Sequence, residues 1–333
     1  MFESELLLIL IIGAALLYDF VNGFHDAANA IATTVATHAL SPRKAILLAR
    51  TLNFVGGLLH TAVAYTIGKG VISSHVITLE MILAAVLGAV LWGYFTWYLG
   101  LPSSSTHALV GGLMGVGLFA NNFDFGVLVF SGIRKVLVWM VISPVLGLFI
   151  GSMMIVIFSW AVWKMQYRKS AIFFKRLQVL SASFVALSHG MNDAQNAMGI
   201  ITVALLSYGA IGEFRVPLWV RLASAFMIGL GTSIGGWRII KTMGTRMTKL
   251  HEPIDGCAAE TSAGAIILLA SLVGAPVSTT HVATSSIAGT AVAHRFGNIR
   301  WRVLGNIALA WVMTFPGAGI FGIVSYLIVA RIF

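Results

Sequence analysis

The sequence predicts an all-α integral membrane protein made of two inverted-topology repeats, with broken helices and two re-entrant helical hairpins. Three observations lead there: the composition, a set of polar motifs that occurs twice, and the placement of Lys and Arg. Of the 333 residues, 58% are hydrophobic and 10% charged, with a mean hydropathy of +0.93, whereas a soluble domain carries about 25% charged residues. In a bilayer every backbone N–H and C=O must be bonded within the protein, which apolar segments of about 20 residues achieve as helices. The net charge of +10 does not imply nucleic-acid binding, because the bases are scattered in short inter-helix segments. A single cysteine, Cys257, leaves no intramolecular disulfide and no cysteine metal cluster.

The duplication is read from three landmarks in the same order. Residues 22–30, Asn-Gly-Phe-His-Asp-Ala-Ala-Asn-Ala, return at 189–197 as His-Gly-Met-Asn-Asp-Ala-Gln-Asn-Ala. Pro102-Ser103-Ser104-Ser105-Thr106-His107 returns as Pro276-Val277-Ser278-Thr279-Thr280-His281, and Trp139 and Pro144 return as Trp311 and Pro316. The offsets are 167, 174 and 172 residues, which predicts a first transmembrane repeat over 1–162, a basic cytoplasmic linker over 163–176 and a second repeat over 177–333.

Orientation follows from the bases. Fourteen of the 21 Lys and Arg fall in 39–44, 163–176, 237–252 and 293–302, so these connections are expected in the cytoplasm. The poorer connections, 69–77 and 207–216 among them, are expected outside, together with the N-terminus. The acidic start Met-Phe-Glu-Ser-Glu lacks the basic region of a cleaved signal, so the first apolar segment is expected to stay. The sides agree only if 78–119 and 255–292 each enter and leave on one face, as hairpins hinged at the Pro-Ser/Thr tracts. The first half then crosses three times, at 5–38, 45–68 and 127–162. An odd number inverts the second half, at 177–206, 217–236 and 303–331, a plan typical of secondary transporters. Segment 5–38 would run about 51 Å as one helix against a hydrocarbon core of roughly 30 Å, and the expected break is at Asn22-Gly23.

Ionisable residues inside apolar helices are costly and mark function. Asp26 and Asn29, repeated as Asp193 and Asn196, suit a hard cation, which prefers carboxylate, amide and carbonyl oxygens. Ser104, Ser105, Thr106, Ser278, Thr279 and Thr280 are strong helix-capping residues at the hairpin tips. The N–H groups and positive dipole end of a helix start favour an oxyanion there. His25 beside Asp26 adds an imidazole, whose charge changes near neutral pH, and makes a proton the favoured coupling cation over sodium. Glu260, near a hairpin arm, is a further cation ligand. His107 and His281 are read as fixing the tips, and His38, His60, His75, His251 and His294 as structural or interfacial. No His pair has the i, i+4 spacing of a helical zinc motif, so no metal is assigned.

The paired Gly-x-x-Asp-x-x-Asn-Ala motifs at Gly23 and Gly190 and the paired Pro-x-Ser-x-Thr-His tracts resemble the inorganic phosphate transporter (PiT) family, in its short bacterial form. The resemblance covers almost the whole chain. It implies cation-coupled uptake of phosphate across the inner (plasma) membrane, no cofactor beyond the coupling cation, and a homodimer. It makes Asp26, Asn29, Asp193 and Asn196 cation and substrate residues and the six tip residues phosphate-binding ones. Phe24-His25 departs from the family's usual Ala-Asn before the first Asp. That form is similar to members that use protons and carry phosphate with a divalent metal. A sulfate permease is the alternative within the same resemblance. An intramembrane hydrolase is a weaker reading, because neither His-Glu-x-x-His nor Gly-x-Ser-x-Gly occurs.

Overall fold

Apolar composition and the demand for internally bonded backbone yield helices almost throughout. A computed structural model describes residues 2–73, 75–248, 250 and 252–333; Lys249 and His251 lie outside the described residues. Twelve α-helices follow: α1 (Phe2–Ala36), α2 (Pro42–Gly57), α3 (Ala62–Lys69), α4 (Leu79–Leu99), α5 (Ser105–Ala120), α6 (Phe130–Ala161), α7 (Tyr167–Tyr208), α8 (Leu218–Ile234), α9 (Trp237–Lys241), α10 (Pro253–Leu272), α11 (Thr279–His294) and α12 (Trp301–Ile332). A π-turn at Thr242–Arg246 follows α9. Among the described residues the only extended pairings are two isolated antiparallel bridges, Ile72 with Leu128 and Thr248 with Ile299. Among the described residues six helices are long and apolar enough to cross a membrane, or up to eight spans if each bent pair is one.

The long helices α1 and α7 pack against each other at the centre. Around them α8 lies on α1 and α2 on α7, α4 lies on α1 and α10 on α7, while α6 backs α11 and α12 backs α5. Each contact has a counterpart when the first six helices are exchanged for the last six. The outer faces of α6 and α12 expose apolar side chains such as Val145, Phe149, Val312 and Ile320, as lipid contact requires.

One expectation fails. The chain does not break at Asn22-Gly23, because α1 is continuous over 35 residues and α7 over 42 residues. Gly23 instead lets α8 approach: a Cβ there would stand 2.3 Å from the Ile228 carbonyl oxygen. Gly190 does the same for α2, with 2.2 Å to the Asn53 carbonyl oxygen. Small residues that permit such approach are the usual means of helix association in lipid. The breaks fall one helix later, with α2 and α3 bent by 73° and α8 and α9 with the following π-turn by 61°. The basic linker is likewise mostly helical, since α7 begins at Tyr167.

Candidate functional site

Both hairpin tips are built alike. Ser104 and Ser278 are N-caps whose hydroxyls each accept from the backbone N–H three residues on, His107 N and His281 N, at 3.1 Å. Pro102 and Pro276 interrupt the helical run two residues before the caps, and Ser104 and Ser278 are themselves extended. The tips meet: the rings of His107 and His281 lie 4.9 Å apart in a T-shape. Trp311 stacks on His281 at 3.9 Å and donates its indole N–H to the Pro102 carbonyl at 3.1 Å.

Two polar stripes face these tips, one on α1 and one on α7. Residues seven apart return to one helix face, which places Asp26 and Asn29 in line with Thr33 and aligns Asp193 with Asn196. Asn29 Nδ2 donates to Thr279 Oγ1 (3.2 Å) and Thr280 Oγ1 (3.0 Å). Asn196 Nδ2 donates to Thr106 Oγ1 (2.9 Å) and Tyr18 OH (3.4 Å). Each asparagine therefore reaches the hairpin of the other half.

The carboxylates converge at Thr279, whose hydroxyl lies 3.1 Å from Asp193 Oδ2 and 3.4 Å from Asp26 Oδ2. It carries one proton and can satisfy one carboxylate at a time. Ligand atoms of Asp26, His189 and Asp193 all lie within 4.8 Å of one another, and all three residues are buried. Asp193 Oδ1, Asn29 Oδ1 and Asn196 Oδ1 have no hydrogen-bond partner. All are acceptors. A buried set of unpaired oxygens around two carboxylates fits a cation, and the oxygens are of the kind hard cations take.

Each carboxylate also has its own imidazole. His25 Nδ1 is 2.6 Å from Asp26 Oδ1, and its Nε2 faces Thr96 Oγ1 at 3.1 Å and Ser103 Oγ at 3.3 Å, tying Asp26 to the first hairpin. His189 Nδ1 lies 3.1 Å from Asn53 Oδ1. Because Asn53 Nδ2 is spent on Thr232 Oγ1 at 2.8 Å, its Oδ1 must accept and His189 Nδ1 must carry the proton. His189 Nε2 then faces Asp193 Oδ2 at 3.2 Å without hydrogen-bond alignment. A bare nitrogen against a carboxylate calls for a proton or a cation between them.

Glu260 stands apart from this centre. Its Oε1 accepts from Thr33 (2.5 Å), Thr34 (2.8 Å) and Gln178 (3.0 Å), and its Oε2 from Ser181 (2.5 Å). The sequence reading placed Glu260 near a hairpin arm as a further cation ligand; it lies on α10, beside Thr33, two turns beyond Asp26 along α1. His60 accepts from Ala62 N at 3.2 Å at the start of α3, and His294 pairs with Asp255 at 2.6 Å, both structural roles. The reading placed His189 in the second Asp motif without pairing it with Asp193, and it missed Thr96, Asn53, Gln178 and Ser181. For His189 the signal was its i, i+4 step to Asp193.

Two buried carboxylates set between amide and hydroxyl clusters, inside a bundle of apolar helices, are the arrangement of a solute carrier. The chain belongs to the phosphate transporter family, whose pattern matches residues 22–322. It is 44% identical over 324 residues to the "Probable low-affinity inorganic phosphate transporter" of Rhizobium meliloti, covering 96% of each chain. It is 42% identical over 333 residues to the protein so named in Bacillus subtilis, covering 98% of each, and 42% identical over 326 residues to that of Mycobacterium tuberculosis, covering 96% of this chain and 77% of the relative. The solved structure entitled "The sodium-dependent phosphate transporter" superposes with a TM-score of 0.88 at 25% identity, over 98% of this chain and all of that one. Family and relatives are transporters, not enzymes.

Proposed function

We propose that this chain is a secondary active symporter that takes up inorganic phosphate, alone or with a divalent metal, across the plasma membrane, driven by a cation gradient in which protons are favoured over sodium. The observation that carries the reading is the meeting of Asp26 and Asp193 at Thr279, between two helix starts. Asp26, Asp193, Asn29 and Asn196 hold the cation. Ser104, Ser105, Thr106, Ser278, Thr279 and Thr280 offer hydroxyls and helix-start N–H groups to the phosphate oxygens. Asn29 and Asn196 turn their amide N–H groups from the threonines to the substrate. Glu260 with its ring of hydroxyls and Gln178 is a second resting place for a cation. His25 supports proton coupling through its 2.6 Å contact with Asp26.

Two inverted repeats, with the hairpins re-entrant and the N-terminus outside, supply the alternating access. This is supported by the exchange of helix contacts between halves and by the reciprocal pairing of Asn29 with the second tip and Asn196 with the first. Phosphate is preferred over sulfate because near neutral pH it retains P–OH donors for the two carboxylates, and a site built for a substrate hydroxyl rejects an analogue without one by up to about 10⁴. Counterflow of labelled phosphate in proteoliposomes, with sulfate as competitor and with sodium and proton gradients imposed separately, tests the reading. Equal competition by sulfate would make the chain a sulfate permease, and uptake that collapses without sodium at constant pH would make sodium the coupling ion.

A further inference from the structure

One turn before the Asp26 motif, α1 carries a group of buried polar atoms that the substrate centre does not use. Both carboxylate oxygens of Asp19, both polar atoms of the Asn22 side chain and the hydroxyl of Ser224 on α8 lack hydrogen-bond partners. None of the three residues is more than 1% exposed. Asp19 and Asn22 are one turn apart on α1, and the Ser224 hydroxyl on α8, which packs along α1, is close enough to act on the Asp19 carboxyl but not in hydrogen-bond geometry with it. The buried carboxylate of Glu260 is held by four donors, whereas that of Asp19 has none in hydrogen-bond geometry. An untied one at this depth costs so much as a bare anion that it carries a proton or a cation.

The chemistry of the cluster selects the proton. A hard cation takes about six oxygens, whereas Asp19, Asn22 and Ser224 supply four, and the Asn22 amide also brings an N–H that opposes a cation. A proton needs a single oxygen. The sequence adds that the cluster is not duplicated: Asp26 and Asn29 recur 167 residues on, but the counterpart of Asp19 is Ala186. The two halves share the substrate motif, and one half alone has this carboxyl. Asp19 lies seven residues from Asp26, about 10 Å along the helix, near enough to exchange a proton through ordered water or His25 and too far to ligate the phosphate.

Resting on the symporter reading above, we infer that Asp19 is the group that loads the coupling proton from the side of the α1 N-terminus, with Asn22 and Ser224 orienting it. An O–H bond forms on the Asp19 carboxyl on loading and breaks on release toward the centre, with no redox change. Of the charged and titratable groups on the packed elements, Tyr18 on α1 and Asp193 on α7 interact with it electrostatically. His189 is turned to Asn53 and Asp193. Arg221, one turn earlier on α8, donates to the Leu58 carbonyl. Tyr94 and Tyr98 on α4 are exposed, and Glu80 lies in the first turn of that helix.

The purified full chain in proteoliposomes, with a pH dye trapped inside, tests this in Asp19→Asn and Asp19→Glu forms. Counterflow exchanges phosphate without net proton movement, whereas accumulation on a proton gradient requires loading and release. Asp19→Asn is expected to keep counterflow within about threefold of wild type while proton-driven accumulation and lumen acidification fall by at least roughly tenfold, and Asp19→Glu to keep both. Proton-driven accumulation by Asp19→Asn with the wild-type pH profile overturns the inference. So does loss of counterflow in both variants with normal folding, which would place Asp19 in the substrate site. A wild type that counterflows phosphate but accumulates it only on a sodium gradient also overturns it. A wild type without phosphate counterflow defeats the symporter reading itself.

Discussion

Replacing Asp193 by Asn keeps the side-chain shape and removes one unit of charge. Thr279 can still donate across 3.1 Å to the new amide oxygen, so the lost quantity is electrostatic. A monovalent cation held among Asp26, His189 and Asp193, whose ligand atoms lie within 4.8 Å of one another, sits less than about 4 Å from the carboxylate charge and interacts with it by at least about 4 kcal/mol at an effective dielectric of about 20. At 1.4 kcal/mol per decade this is at least about 10³-fold in apparent cation affinity. Ser278→Ala is the contrast. It removes the cap on His281 N, worth about 1 kcal/mol or roughly fivefold. Initial rates of labelled phosphate uptake in proteoliposomes, measured over a range of cation concentrations for protein that elutes as one folded species, separate the two. Asp193→Asn uptake within threefold of wild type, or a smaller loss than in Ser278→Ala, would refute the assignment of Asp193 to the cation.

Further outcomes follow from the same geometry. In a Cys257→Ala background, single cysteines at Ser73 and Ser207 should react with an impermeant thiol reagent from outside, and those at Ser170 and Thr245 only after permeabilisation; outside labelling at Ser170 would remove the inverted-repeat proposal. Gly190→Ala should lower the melting temperature by several degrees, because its Cβ meets backbone atoms of Asn53 at 2.2 and 2.6 Å and overpacking of that kind costs about 1–3 kcal/mol. Gly13→Ala has nothing within 4 Å of its Cβ and should be neutral or stabilising, and equal melting points for the two would contradict the close-approach role of Gly190. His25→Asn, which matches Asn192 in the second half, should flatten the pH dependence of uptake by breaking the Asp26 contact; an unchanged profile would detach His25 from coupling.

How much of this was legible in the sequence depends on what the two halves share. Asp26 with Asp193, Asn29 with Asn196, and the two Ser/Thr tracts announced themselves by recurring, and the structure brings them to one place. Hairpins over 78–119 and 255–292 were also readable, because Pro and Ser between two apolar runs can only end one helix and cap the next. The helix break at Asn22-Gly23 was misread for a physical reason. Glycine in a long membrane helix signals either a break or a close neighbour, and only the position of α8 against Gly23 decides. Most residues without a counterpart stayed silent, His25 and Glu260 being the exceptions. Gln178 and Ser181 acquire meaning through Glu260, some 80 positions away, and Asp19 through Ser224 on a neighbouring helix. A repeat-based reading therefore finds the symmetric centre and overlooks Asp19, while Glu260 was reached only through its place near a hairpin arm. Yet the two halves are not equivalent around that centre: His25 stands where the second half has Asn192, Asp19 stands where it has Ala186, and Glu260 of the second half is tied to Thr33 and Thr34 of α1. The ion gradient sets the net direction of transport, so what such unshared groups can set is the order in which cation and phosphate load and leave.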